Sequence, residues 1–147
     1  MIANKCSIIK EATEKVAFLL WGRKNESKFL DFMNYEGPVT IVTINAKPAS
    51  VVNSWMSYVK IDKEKNCLYI PAAGMHSIEN DFAQDNHVLL TMGSKKVEGT
   101  AGPGAGFHVK GTGEFLAEGP EFAEMKRRFP WMREVLQVKI AQIEQKI

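Results

Sequence analysis

From residue 39 onward, the sequence consists of short apolar segments with the composition of β-strands, joined by brief polar turns. Val39 to Ile44 is β-branched throughout, which predicts a strand buried on both faces. A longer strand is predicted from Ala49 to Ile61, and another from Cys67 to Pro71. Short turns between successive strands favour antiparallel pairing, so this pattern argues against a doubly wound parallel sheet.

The second half of the chain adds three predicted strands, over Val88–Met92, Phe107–Phe115 and Leu136–Ile140. A glycine-rich connection from Gly93 to Gly106 is expected between the first two of them. Gly111 and Gly113 fall on the inner face of the second, where the absence of side chains lets another backbone or a ligand approach closely.

Helices are predicted at the start, in the middle and near the end. An apolar stripe from Ile8 to Leu20 indicates an amphipathic N-terminal helix, and Lys28–Asn34 indicates a short second helix. Ser77 is the expected N-cap of a helix that runs to Gln84, and a further helix is expected from Pro120, its first residue, to Pro130. The sequence therefore predicts an α+β barrel of six mainly antiparallel strands with a few short helices.

Size and composition fit one domain of 147 residues, with residues 1–25 as an appended N-terminal helix. An apolar share of 45% argues against disorder, and a net charge of +2 gives no argument for nucleic acid or an anionic membrane. Cys6 and Cys67 lie far apart, and the longest early apolar run, Val16–Trp21, is too short for a signal peptide or a membrane span. A cytoplasmic protein is expected.

The sequence lacks the residue patterns that several kinds of chemistry require. His76, His87 and His108 have no metal-ligand spacing, and no nucleophile elbow or carboxylate pair on a shared helix or strand face is present. The glycine-rich loop from Gly99 to Gly106 lacks the Lys-Ser/Thr ending and the helix of a phosphate-binding loop. If the protein is catalytic, a cofactor is expected to supply the reactivity.

Two segments could bind a flat, partly polar ligand. Asn53 to Lys60 interleaves aromatic and polar side chains, which suits a heterocycle, although an ordinary edge strand around a core Trp explains it too. Ala72 to Ser77 ends a strand in small residues before a helix, where backbone N–H groups could meet an anion. Against this, Glu79 and Asp81 already place negative charge in that helix.

Four segments together resemble the small FMN-binding proteins of sulfate-reducing bacteria, in the pyridoxamine 5′-phosphate oxidase-like, FMN-binding split-barrel superfamily. They are Asn53–Lys60, Ile70–Asn80 (IPAAGMHSIEN), Leu90–Gly99 (LTMGSKKVEG) and Gly102–Phe107 (GPGAGF). The similarity continues through Glu118–Phe122 and Trp131 to the C-terminus, so it covers about residues 26–147. The resemblance implies a split β-barrel in this range.

The resemblance also implies where FMN would bind. Asn53, Ser54 and Trp55 match the strand that lines the isoalloxazine, and the strand end Pro71–Gly74 matches the place where backbone approaches the flavin. Ser77 and Ile78 match the helix-start pair that holds the phosphate. The predicted FMN-binding residues are Asn53, Ser54, Trp55, Tyr58, Pro71, Ala73, Gly74, Ser77, Ile78 and Trp131.

One departure from the family concerns the phosphate pair, which is Lys-Thr in the similar proteins and Ser77-Ile78 here. Loss of the Lys removes a charge-assisted contact worth about 1.5–3 kcal/mol. Lys60, Lys95 or Lys96 could compensate from a neighbouring strand. FMN binding is therefore expected, with lower affinity; the alternative is a site that has changed to bind another ligand.

The implied assembly is a homodimer with two FMN sites at its interface, the C-terminal segment reaching towards the partner's flavin. The leading function is electron transfer or flavin-dependent oxidoreduction. The sequence does not distinguish NAD(P)H from a protein as the electron partner. The alternative is a non-catalytic split barrel that binds FMN, haem or another planar ligand for storage or sensing, with His76 or His108 as the haem ligand to examine. The N-terminal helix is expected to pack on its own dimer rather than dock another protein.

Overall fold

The computed structural model describes residues 26–147, which form one curled antiparallel sheet flanked by short helices. The predicted helix and extension within residues 1–25 lie outside the described residues. The helices are α1 (residues 26–32), α2 (His76–Phe82) and α3 (Pro120–Arg128), with a 3₁₀ turn at Met56–Tyr58. The strands are β1 (Pro38–Thr43), β2 (Val51–Trp55), β3 (Lys60–Asp62), β4 (Cys67–Ala72), β5 (His87–Glu98), β6 (Pro103–Leu116) and β7 (Glu134–Gln145).

The sheet has the strand order β2-β1-β5-β6-β7-β4-β3, and every neighbouring pair is antiparallel. The α+β class and the antiparallel pairing are thus confirmed. The expected number of six strands is wrong, because residues 26–147 contain seven. The two edge strands, β2 and β3, are consecutive along the chain and are joined only by the 3₁₀ turn and Val59. The sheet therefore curls until its edges approach, without closing its hydrogen-bonded ladder.

The additional strand arises because the single strand expected from Ala49 to Ile61 is broken at its centre. Met56 is buried in the core, and its N–H donates to the carbonyl of Gly37 (2.8 Å). The next residue, Ser57, donates from its backbone N–H and its hydroxyl to the carboxylate of Glu36. These two interactions turn the chain from one edge of the sheet to the other. The hydrogen bonds from Ser57 also lower the pKa of Glu36, chiefly through the Ser57 hydroxyl.

The glycine-rich segment between β5 and β6 is mostly paired strand, which corrects the expectation of a long connection. Gly93 and Gly106 are register partners, and only residues 99–102 form the turn. That turn is tight, since the N–H of Gly99 donates to the carbonyl of Gly102 (2.8 Å). Glycine here allows close packing of backbone, so its abundance did not indicate a loop.

The main core fills the interior of the sheet, under α1 and α2. Phe107 is central to it, with ring centroids 5.5 Å from Phe29 and 4.8 Å from Phe32. β1 contributes alternate residues to this core, so the expectation that it is buried on both faces is wrong. A second, smaller core lies between α3 and the other face of β4 and β7. β4 is the strand buried along its whole length, because its two faces belong to the two cores.

The inner-face glycines of β6 are sites of close approach, as predicted. A Cβ on Gly111 would lie 2.2 Å from the carbonyl oxygen of Lys139, beside a register shift between β6 and β7. A Cβ on Gly113 would lie 2.4 Å from the ring of Phe82, the last residue of α2. One glycine therefore admits a second backbone, and the other admits an aromatic side chain that anchors α2.

Candidate functional site

The sheet edge formed by β2 presents polar and aromatic side chains outward. Asn53 is exposed, and its Oδ1 accepts a hydrogen bond from the Thr40 hydroxyl (2.7 Å). This contact leaves the amide N–H groups of Asn53 available to a ligand. Trp55 is 51% exposed, an unusual state for so large an apolar side chain. Ser54, between them, points inward and is buried.

An aromatic cluster adjoins the 3₁₀ turn that follows β2. Tyr58 lies with its ring centroid 5.8 Å from Trp131 and 5.1 Å from Phe129, and the last two rings are 5.6 Å apart. Phe129 is buried, whereas Trp131 is 51% exposed. Two residues predicted from distant parts of the sequence, Tyr58 and Trp131, are thus brought together. Their exposed edges form an apolar surface beside the seam between β2 and β3.

The loop from β4 to α2 carries the other predicted residues. Pro71 is buried in β4, while Ala73 and Gly74 are exposed, and a Cβ added to Gly74 would meet nothing within 4 Å. Ser77 is exposed on the first turn of α2. Ile78 is fully buried in the main core, so it can offer a ligand only its backbone. This loop is open to solvent at the positions where the sequence predicts a cofactor.

Ser77 is not the N-cap of α2. Met75 precedes the helix in the left-handed conformation (φ 66°), and no side chain caps the first turn. The N-cap therefore lies two residues earlier than predicted, and the helix runs from His76 to Phe82. The side chain of Ser77 consequently remains free of a capping role.

Arg133 fixes the β4–α2 loop. Its backbone N–H donates to the carbonyl of Ala72 (2.8 Å), its Nε to Ala73 (3.2 Å) and its Nη2 to Gly74 (3.1 Å). The same guanidinium pairs with Glu79 of α2, and its Nη1 lies 3.1 Å from Oε2 of Glu134. Three consecutive carbonyls are thus held by one residue.

The sequence pattern did not predict this cluster, because its carboxylates do not share one helix or one strand. Glu79 and Glu134 come from different elements, 55 positions apart, and meet only because β7 pairs with β4 in the register Ala72–Glu134. Arg133 and Glu134, which precede the last predicted strand, gave no signal by themselves.

The pKa values of the two carboxyl groups shift in opposite directions. The hydrogen bond from Arg133 holds the pKa of Glu79 below its ordinary value. Burial raises the pKa of Glu134, and its hydrogen bond with Glu79 raises it further. The folded protein therefore loses the proton of Glu134 at a higher pH than an exposed glutamic acid would, and that of Glu79 at a lower pH.

Substitutions at the pair are expected to shift stability with pH in opposite directions. The unfolded chain ionises Glu134 at about pH 4.3, and burial raises its pKa in the folded protein, so folding loses stability as pH rises above that value. Glu79 does the reverse, since its lowered pKa adds stability that is lost as pH falls. Relative to the unsubstituted protein, Glu134→Gln should gain stability between pH 4 and pH 7, and Glu79→Gln should lose it. Urea denaturation across this range measures both; parallel trends would contradict the assignment.

A shallow groove on the outer face of the sheet lies next to the β2 edge. Its volume is about 230 Å³, and its lining residues are Pro38, Thr40, Thr91, Met92, Gly93, Gly106, Phe107, His108, Lys146 and Ile147. Pro38 and Thr40 are the register partners of Trp55 and Asn53, so the groove adjoins the predicted strand. Small-molecule sites usually occupy about 300–1,000 Å³, so this groove alone would not enclose a cofactor of that size.

The lysines expected to compensate for the missing family Lys have other positions. Lys60 forms a salt bridge with Glu124 of α3. Lys95 and Lys96 lie near the β5–β6 turn. The last residue of α2, Phe82, packs against Gly113, whose N–H donates to the carbonyl of Asn86 just before β5. This end of α2 therefore lies at the opposite end of β5 from the two lysines. Arg133 is a basic residue that contacts the β4–α2 loop directly, through hydrogen bonds to Ala73 and Gly74.

The arrangement fits a flat, partly polar heterocycle. Trp55, Tyr58 and Trp131 offer aromatic faces, Asn53 offers amide donors, and the space beside Gly74 is open. Within residues 26–147, no three His, Cys, Asp or Glu side chains converge as metal ligands would. None of the helices in the same range is long and apolar enough to cross a membrane.

Comparison with solved structures identifies the fold. An FMN-binding protein from Syntrophomonas wolfei superposes with a TM-score of 0.64 and 15% identity, over 95% of this chain and 97% of its own. A Listeria innocua protein assigned as a pyridoxamine 5′-phosphate oxidase superposes with a TM-score of 0.60 and 12% identity, over 84% and 97% of the two chains. The curled sheet with joined edges is thus of the split-barrel class.

Sequence comparison is more specific. No protein-family model matches the chain. The FMN-binding protein of Nitratidesulfovibrio vulgaris (strain Miyazaki F) is 40% identical over 117 residues, which cover 80% of this chain and 94% of the relative. The chain therefore belongs to the family of this FMN-binding protein, and the resemblance noted from the four segments is confirmed.

Proposed function

We propose that this protein binds FMN in residues 26–147 and serves in electron transfer or as a flavin-dependent oxidoreductase. The observation that carries the proposal is the 40% identity to an FMN-binding protein across nearly the whole of that relative. The open aromatic surface at the seam of the sheet and the open β4–α2 loop support it. Residues 1–25 would be an extension to this domain. A cytoplasmic location is proposed from the cysteine content.

FMN, when bound, would supply the capacity to accept electrons and return them, and the protein would supply position and environment. Trp55 and Trp131 would bury the flat faces of the ring system. Asn53 would donate its amide hydrogens to the polar edge, since its oxygen is already engaged by Thr40. Gly74 would let the ring approach backbone that Arg133 holds in place.

The phosphate of FMN would lie near Ser77, whose hydroxyl is exposed. Arg133 would contribute positive charge there, although its salt bridge with Glu79 already partly neutralises it. A net positive phosphate site is therefore lacking among these residues, and the affinity for FMN should be lower than in relatives with Lys at this position.

We further propose a homodimer whose interface completes the two FMN sites. Val51, Trp55 and Ile147 are each more than half exposed, and the outer-face groove is too small to enclose the cofactor alone. A second copy on this face would cover those side chains and close the sites. NAD(P)H or a redox protein would be the electron partner.

Titration with FMN tests the proposal. Purified protein should turn yellow, quench the fluorescence of added FMN, bleach with dithionite and recover in air. Trp55→Ala should weaken FMN binding about tenfold, because it removes a large aromatic contact worth about 1.5 kcal/mol. Ile44→Ala is the matched control, because Ile44 is also an exposed apolar residue. Trp55 pairs with Pro38 at the start of β1, whereas Ile44 follows the other end of that strand.

Two outcomes would overturn the assignment. A colourless protein that leaves FMN free at millimolar concentration would exclude flavin binding. A Soret band on addition of haem, with no flavin binding, would favour the alternative of a haem-binding split barrel. Sedimentation equilibrium of the FMN-loaded protein at micromolar concentration tests the dimer, and a monomer would contradict the shared site.

A further inference from the structure

Arg128 is a cation held against the aromatic cluster. Its guanidinium carbon lies 4.9 Å from the centroid of the Phe129 ring, a cation–π distance. Its Nη2 also makes a long contact of 3.5 Å with the carbonyl of Ser57, the residue before Tyr58. The side chain thus spans from the end of α3 to the 3₁₀ turn, next to Tyr58 and Phe129.

The charge of Arg128 is not cancelled by a direct partner in the described part of the chain. Within residues 26–147, Lys60, Lys65 and Arg133 all have carboxylates within salt-bridge distance, whereas Arg128 has none. Glu36, whose carboxylate contacts the 3₁₀ turn, accepts hydrogen bonds from the N–H and hydroxyl of Ser57 and forms no salt bridge with the guanidinium.

We propose that Arg128 stabilises the negative charge of reduced FMN and thereby raises the midpoint potential of the bound cofactor. This inference rests on the proposed function, which places the isoalloxazine between Trp55 and Trp131. Uptake of two electrons and one proton by neutral oxidised flavin leaves one negative charge on the ring system. A positive charge close to that ring favours the reduced form over the oxidised form, because only the reduced form carries the charge.

The location distinguishes Arg128 from its neighbours. Lys126, two residues earlier, donates its Nζ to the carbonyl of Met132. Arg127 is exposed and has no aromatic ring or backbone carbonyl among its contacts within residues 26–147. These adjacent basic residues have different surroundings, so Arg127 provides a charge-matched control for Arg128.

Potentiometric titration of the FMN-loaded protein with dithionite, in the presence of a reference dye, tests the inference. Arg128→Gln should lower the reduced-to-oxidised ratio about tenfold at a fixed potential, a shift of about −30 mV for a two-electron couple. Arg128→Lys, which keeps the charge, should shift it much less. Arg127→Gln should leave it nearly unchanged.

A purely structural role for Arg128 predicts a different result. It would weaken binding of oxidised and reduced FMN equally and leave the potential in place, with Arg128→Lys as damaging as Arg128→Gln. Equal shifts in Arg127→Gln and Arg128→Gln would also overturn the inference, because they would show only a general surface-charge effect. If Arg128→Gln does not fold, Arg128→Lys alone tests the inference. A midpoint potential equal to that of the unsubstituted protein supports the role of the positive charge, and a large negative shift contradicts it. Failure of the unsubstituted protein to bind FMN would instead refute the proposed function.

Discussion

The substitution Ser77→Lys is expected to tighten FMN binding by ten- to a hundredfold. Ser77 is exposed on the first turn of α2, so a lysine can enter without displacing core side chains. It would restore the basic residue that similar proteins have at this position. One charge-assisted hydrogen bond to the phosphate contributes about 1.5–3 kcal/mol, which corresponds to one to two decades of affinity. Isothermal titration at low salt measures the change.

Riboflavin provides the sharpest control, because it has the same ring system without the phosphate. Its affinity should not change in Ser77→Lys, and the gain for FMN should decrease as salt is added. Asn80→Lys is the matched variant, as it adds the same charge to an exposed position one turn further along α2. An equal gain in Asn80→Lys, or an equal gain for riboflavin, would show that Ser77 does not face the phosphate.

Gly37→Ala is expected to destabilise the fold by about 3 kcal/mol or more, because overpacking against backbone has no easy relief. A Cβ at this position would lie 1.9 Å from the carbonyl oxygen of Gly93 and 3.0 Å from the sulfur of Met56. Gly37 also accepts the hydrogen bond from Met56 that turns the chain between the edge strands. The midpoint of thermal unfolding should fall by about 6–12 °C.

Gly93→Ala is the matched control for this prediction. A Cβ on Gly93 would make only an ordinary contact, 3.7 Å from the carbonyl oxygen of Ala105. The two substitutions add the same methyl group to facing positions of the same packed region. If Gly93→Ala unfolds as readily as Gly37→Ala, or if neither changes the midpoint, the close approach at Gly37 is not what constrains this corner of the sheet.

The sequence predicted elements whose cause is local. Pro120 begins α3, and the helix ends just before Pro130, because proline suits a first turn and cannot continue a helix. The alternating segments around Leu90, Val109 and Val138 became β5, β6 and β7, since alternation follows directly from one buried face. The family and the antiparallel α+β class followed from residues close together in sequence.

The features that the sequence did not predict depend on residues far away along the chain. The break at Met56 requires the carbonyl of Gly37 and the carboxylate of Glu36, about 20 positions earlier, and no local pattern announces either. The site has the same difficulty, because Arg133 and Glu79 meet only through strand pairing. Periodicity identifies which residues form strands, but tertiary contacts determine where a strand is interrupted and which charges become neighbours.

The closeness of the two edge strands along the chain has a mechanical consequence. Six ladders separate β2 from β3 when one follows the hydrogen bonds around the sheet, yet only Met56 to Val59 separates them along the backbone. A ring system in contact with Trp55 on one side of this turn and Tyr58 on the other would connect the two edge strands across the gap. Ligand binding would then restrain the curvature of the whole sheet, and ligand release would make both edge strands more mobile together.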